Sequence, residues 1–141
     1  MHVQKNLSIV IPSLGGKKLE STLHKVYKNK IRPLETIICI PKSLKKKIII
    51  SKKLNPKIVY TNIKGQVHQR IAGFKKAKGK YILQLDDDID ISYKSLNKML
   101  AYISKYSNIA ISPVLVDKKT NISPFDKIPE NFFFKIYHFI L

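Results

Sequence analysis

The chain has 141 residues, 44% of them hydrophobic, which predicts one globular domain and excludes a disordered polypeptide. Its 27 basic residues against nine acidic ones give a net charge of +18, which attracts polyanions, although AT-rich codons alone would also enrich lysine. Cys39 is the single cysteine, which excludes an internal disulfide and, within an apolar run, predicts a buried core residue.

Short apolar runs alternate with amphipathic segments along the chain. Apolar runs that end at a proline or at polar residues predict strands at residues 7–12, 35–40, 57–61 and 81–85. Apolar residues at helical spacing mark one face of each of three helices: Leu19, Leu23, Val26 and Tyr27; Val67, Ile71 and Phe74; Leu96, Met99, Leu100 and Ile103. Gly79 is predicted to end the second helix and Ser92 to cap the third. A fifth strand is predicted at 109–116, at an edge or a bulge because it contains Pro113.

This alternation predicts an α/β fold with a mostly parallel sheet and helices on both faces. In such sheets a ligand binds beyond the carboxyl ends of the strands, where the strand order reverses. The end of the fourth strand is therefore a candidate position for a ligand-binding site.

Four of the nine acidic residues, Asp86, Asp87, Asp88 and Asp90, directly follow that strand. If strand alternation continues, Asp86 and Asp88 face the same side, and paired carboxylates suit Mg²⁺ or Mn²⁺ together with substrate phosphates. The alternative is an exposed acidic turn that caps the helix starting near Ser92. An EF-hand calcium loop is disfavoured because its glycine and distal glutamate are absent.

Three stretches resemble family 2 glycosyltransferases of the GT-A fold, in the order and spacing of that family. They are SIVIPSLGG at 8–16, ETIICIP at 35–41 and QRIAGFKKAKGKYILQLDDD at 69–88. The resemblance implies a GT-A (Rossmann-like) domain over residues 1–141, incomplete at its C-terminus, with a core at 7–117 and an apolar tail at 129–141.

The resemblance also implies site residues. Those expected to bind the donor are Pro12, Ser13, Arg70, Asp86 and Asp87, and those expected to bind the metal are Asp86 and Asp88. Asp88 is the expected direct ligand of Mg²⁺ or Mn²⁺, and Arg70 carries a permanent charge that suits a diphosphate.

The implied reaction transfers a sugar from a nucleotide-sugar, most simply of the UDP type, to a glycan or lipid-linked acceptor. Cell-surface polysaccharide biosynthesis, such as that of lipopolysaccharide, is the expected setting. The general base is not identified, because Asp117, Asp126 and Glu130 are the acids left downstream and none matches the family pattern. The alternative is a truncated, non-catalytic module that binds a sugar nucleotide.

The family commonly carries an acidic pair after the second strand, where this chain has Pro41 and Lys42, so the donor's nucleotide stays open. No nucleic-acid-binding motif accompanies the charge, so no specific nucleic-acid partner is predicted. The N-terminus lacks an apolar signal segment and the tail is too short to span a bilayer, which predicts a cytoplasmic protein. The tail is expected either to pack on its own core or against segments absent from this chain, or to form an interfacial helix on the inner membrane face.

Overall fold

The sheet and helices are taken from a computed structural model that describes residues 3–28, 30–47, 50, 54–106, 108–113, 115–117 and 119–123. The strands are β1 (Leu7–Pro12), β2 (Glu35–Pro41), β3 (Lys57–Thr61) and β4 (Tyr81–Gln84). The helices are α1 (Lys17–Lys28), α2 (Gln66–Lys76) and α3 (Tyr93–Ile103), with short 3-10 helices at Val3–Asn6 and Lys42–Lys47. The chain divides into two units, Met1–Leu100 and Ala101–Leu141, and the sheet lies within the first.

The four strands form one sheet in the order β3-β2-β1-β4, and every neighbouring pair is parallel. Every residue of β1 is buried, and so is β2 after Glu35, because these two central strands are apolar on both faces. The chain runs outward from β1 to β3 and then returns to β4 on the other side of β1. The predicted α/β fold is confirmed, and the strand order reverses between β1 and β4.

Helices cover both faces of the sheet, as predicted. Gly73 of α2, the helix that joins β3 to β4, lies against Cys39 of β2. Tyr27 of α1, the helix that joins β1 to β2, contacts Thr36, which points to the other face of the same strand. The buried apolar residues are Leu19, Leu23 and Val26 in α1 and Leu96 and Leu100 in α3. The predicted cap of α3 is confirmed, because the Ser95 N–H donates to Ser92 Oγ at 3.0 Å.

The buried face of α2 differs from the apolar face of the sequence. Val67, Ile71 and Phe74 are 64%, 45% and 39% exposed, whereas Gln69 and Gly73 are buried. A helix that presents a glycine to the sheet sits closer than one that presents a large side chain. Close packing at Gly73 therefore decides which face of α2 is buried.

The predicted end of α2 at Gly79 is wrong. The helix ends at Lys76, and Ala77 follows in an extended conformation with its N–H donating to Gly73 O at 3.0 Å. Gly79 instead lies against the start of β1, where a Cβ would stand 2.6 Å from the Ser8 backbone nitrogen. Its lack of a side chain permits this close approach rather than ending a helix.

The predicted strand at 109–116 is also wrong for the residues that the structure describes in this segment, which adopt no regular structure. Ile109, Leu115 and Val116 are 37%, 40% and 54% exposed. Pro113 has no N–H to donate to a ladder, so the apolar run alone does not secure a partner strand. The apolar tail at 129–141 lies outside the described residues, and its packing or membrane contact stays a prediction.

None of the helices in the described ranges combines the length and apolar character needed to cross a bilayer. This agrees with the sequence, in which the apolar runs up to residue 123 are strand-length.

Cys39 lies fully buried against Val10 and Ile37, as predicted, and burial raises the pKa of its thiol to about 11. Only the thiolate reacts with a disulfide reagent, so we expect labelling of the folded chain at pH 8 to be about a hundredfold slower than labelling in denaturant. Absorbance with Ellman's reagent measures both rates. Equal rates would contradict the buried position, and the single cysteine makes the signal unambiguous.

Candidate ligand-binding site

The end of β1 is joined directly to the acidic turn that follows β4. Ser13, the residue after β1, is 4% exposed and donates from Oγ to Asp87 Oδ2, while the Gly15 N–H donates back to Ser13 Oγ at 2.9 Å. Thr22 of α1 donates from Oγ1 to the Asp87 backbone oxygen at 2.8 Å. Asp87 is thus held through both its side chain and its backbone at the point where the strand order reverses.

The three adjacent carboxylates do not alternate as they would in a strand. β4 ends at Gln84, and the Ile89 N–H donates to Asp86 O at 3.2 Å, which closes a turn. Asp86 contacts Arg70 of α2 at 3.0 Å, whereas Asp88 lies 3.8 Å from Lys18 of α1. The condition for Asp86 and Asp88 to face the same side therefore fails, because the turn directs them toward helices on opposite faces.

Arg70 is held by polar groups of α2, β4 and the acidic turn. Its Nη2 donates to Asp86 Oδ1 at 3.0 Å and to Gln66 Oε1 at 3.3 Å. When the Gln84 amide is oriented with its oxygen toward the guanidinium, that oxygen also accepts from Arg70 Nε at 3.1 Å. The side chains of Arg70 and Asp86 are 27% and 39% exposed, so solvent screening limits their pair to about 1 kcal/mol at most. Its main effect is to orient the guanidinium.

A cleft opens beside this turn at the carboxyl edge of the sheet. It is lined by Pro12, Ser13, Leu14, Lys64, Gly65, Gln66, Gln69 and Asp87. Lys64 brings a positive charge to the cleft, and α2 begins beside it with Gly65 supplying no side-chain cap. First-turn N–H groups without a cap bind water or an anion.

The residues predicted from the sequence gather at this edge. Pro12, Ser13 and Asp87 line the cleft, and Arg70 and Asp86 bond to each other beside it. Their assignment to donor or metal stays a prediction. Asp88 stands further out, with its side chain 55% exposed.

Sequence reasoning missed Gln69, Gln66 and Lys64 as residues of the cleft. Gln69 carried a usable signal, since it lies four residues before Gly73, and a glycine inside a helix indicates close approach to a neighbour. A polar side chain on that same face must find hydrogen-bond partners in the sheet.

A divalent cation fits this site only if a substrate shares it. The described part of the chain contains no group of three or more His, Cys, Asp or Glu side chains that could enclose a metal ion. Mg²⁺ commonly takes one or two carboxylates and completes its shell with phosphate oxygens and water. Asp88 suits that arrangement, because its carboxylate is half-exposed and its ion pair with Lys18 is long.

Asp117 is the one downstream acid among those considered as a general base that the structure describes. Its Oδ1 accepts from the backbone N–H groups of Lys119 and Thr120, both at 2.9 Å. These bonds, that from Thr120 foremost, hold the pKa of Asp117 below its usual range. A carboxylate that closes its own turn and has a lowered pKa is a weak base. Asp126 and Glu130 lie outside the described residues.

A parallel α/β sheet with a cleft at its point of strand reversal is the arrangement in which α/β proteins commonly bind ligands at the carboxyl edge. The sequence model of the family described as Glycosyl transferase family 2 matches residues 8–140. The chain belongs to this family, and its fold is that of a GT-A (Rossmann-like) glycosyltransferase domain. No curated protein and no solved structure gives a significant match.

Proposed function

We propose that this glycosyltransferase moves a sugar from a UDP-type nucleotide-sugar to a hydroxyl of a glycan or lipid-linked acceptor, in cell-surface polysaccharide synthesis such as that of lipopolysaccharide. One observation carries the proposal: the Ser13–Asp87 hydrogen bond ties the acidic turn to the end of β1, beside the cleft. This location is where parallel α/β sheets bind nucleotides.

Each residue of the site has a role in this proposal. Pro12 and Ser13 form the wall against the nucleotide base, and Asp87 accepts hydrogen bonds from donor hydroxyls. Arg70 supplies a fixed positive charge toward the diphosphate. Asp88 would hold Mg²⁺ or Mn²⁺, with Asp86 as the alternative ligand because it already pairs with Arg70. The cation, when bound, would supply positive charge for the diphosphate leaving group.

The second candidate is a non-catalytic module that binds a sugar nucleotide. It is favoured by Asp117, whose side chain closes its own turn and so leaves no assigned base among the described residues downstream of the acidic turn. The two candidates share donor binding and differ in transfer. A sugar-transfer assay over a panel of hydroxyl acceptors separates them, because the module consumes no donor.

Donor binding is tested by Asp87→Asn, which keeps the size of the side chain and removes its charge. A hydrogen bond to a charged group contributes about 1.5–3 kcal/mol, so we expect UDP affinity to fall at least tenfold. Isothermal titration calorimetry in Mn²⁺ measures it. Asp117→Asn, in an exposed turn of the other unit, is the matched control and should bind as the wild type does. Unchanged affinity in Asp87→Asn would count against the site.

A further inference from the structure

The ladder between β1 and β2 loses its last backbone donor. In a parallel pair, a residue donates its N–H to one neighbour of its partner and accepts at its C=O from the N–H of the other. Pro12 is the partner of Cys39, so Ser13 follows opposite Ile40. The Ser13 N–H donates to Cys39 O at 3.0 Å, and the donor for Ser13 O would be residue 41. That residue is Pro41, which has no N–H.

Gln69 supplies the missing donor from its side chain. Its Nε2 lies 2.7 Å from Ser13 O and 2.6 Å from Cys39 O, and the whole residue is 1% exposed. A primary amide carries two protons, one for each carbonyl oxygen. Gln69 therefore joins the carboxyl ends of β1 and β2 at the place where the backbone cannot.

Fixing Ser13 O has a consequence at the Ser13 hydroxyl. The same residue donates from Oγ to Asp87 and accepts from the Gly15 N–H, so its backbone position sets where the Asp87 carboxylate is held. Arg70 follows Gln69 on α2 and bonds to Asp86. One short stretch of helix thus fixes both strands that border the point of reversal.

We propose that Gln69 is a positioning residue of the donor site: it replaces the backbone donor absent at Pro41 and, through Ser13, fixes the orientation of Asp87. The effect on donor affinity rests on the proposed function. That Gln69 replaces the backbone donor missing at Pro41 does not depend on the proposed function. This part is measured separately, by hydrogen exchange of the Gly15 amide.

The test uses Gln69→Met, which keeps a long side chain and removes both donors. We expect hydrogen exchange of the Gly15 amide, followed by NMR without nucleotide, to become roughly tenfold faster, since the bond to Ser13 Oγ is loosened. UDP affinity in Mn²⁺ should fall by about tenfold for the same reason. Val67→Met, at a position 64% exposed on the same helix, should change neither quantity.

A second substitution separates positioning from general damage to the core. Pro41→Ala gives residue 41 an N–H that can donate to Ser13 O, so the double variant Gln69→Met/Pro41→Ala should regain most of the Gly15 protection and UDP affinity. If Gln69→Met does not fold, folding of the double variant is itself the rescue.

Three results would overturn the proposal: unchanged Gly15 exchange in Gln69→Met, no recovery in the double variant, or failure of both variants to fold. If the wild-type chain binds no UDP but hydrogen exchange of the Gly15 amide changes in the variants as expected, the proposed function is refuted. The role of Gln69 in holding Ser13 is then still supported.

Discussion

UDP is expected to bind this chain on the order of a thousandfold more tightly with Mn²⁺ than with EDTA, and Asp88→Asn is expected to abolish that difference. The diphosphate and the carboxylates of the acidic turn repel one another unless a cation lies between them. A charge interaction of about 4 kcal/mol, typical of a pair 4 Å apart near a protein surface, corresponds to this factor. Calorimetric titration of both proteins under both conditions measures it.

Glu20→Gln is the matched control for this experiment. Glu20 is an α1 carboxylate that pairs with His24 at 3.9 Å and does not line the cleft, so its removal should leave the metal dependence intact. Tight UDP binding in EDTA would argue against a shared cation. A metal dependence that persists in Asp88→Asn would transfer the role of ligand to Asp86.

Gly73→Ala is expected to lower the free energy of unfolding by about 3 kcal/mol, the upper end of the range for overpacked cores. The new Cβ would stand 2.3 Å from Val10 Cγ1 and 2.7 Å from Cys39 Sγ, and both partners are fully buried in the sheet. Elsewhere in a helix the same change stabilises by roughly 1 kcal/mol, so the sign of the effect reports the contact. Urea denaturation followed by circular dichroism gives the value.

Val67→Ala, on the exposed face of α2, serves as the control and should stay within about 0.5 kcal/mol of the wild type. Stability equal to or above that of the wild type in Gly73→Ala would mean that α2 does not approach the sheet this closely.

The two central strands could be predicted from the sequence because buried parallel strands are mainly apolar on both faces, and LSIVIP and TIICIP each contain a single polar residue, Ser8 and Thr36. The buried face of α2 could not be predicted from the sequence in this way. Hydrophobicity favours Val67, Ile71 and Phe74, but Gly73 allows a closer approach to Val10. The distance between α2 and the sheet decides which face of the helix is buried, and a pattern of apolar residues does not predict that distance.

The place of the acidic turn in the fold was predictable, and the geometry of the candidate site was not. Acidic residues after an apolar strand place Asp86, Asp87 and Asp88 at the carboxyl edge of any parallel sheet. Their directions depend on the turn closed by Ile89, and the role of Gln69 depends on which residue lies opposite Ser13. Both facts require the register of the strands and the path of the chain, which are long-range properties.

The missing N–H of Pro41 links two positions that lie 28 residues apart in the chain. While proline occupies position 41, selection must keep a long side-chain donor at position 69. Once any other residue stands at 41, its own amide completes the ladder and position 69 becomes free to vary. The two positions are therefore expected to change together during evolution. The order of change matters, because a chain that loses the glutamine before the proline has no donor for Ser13 O.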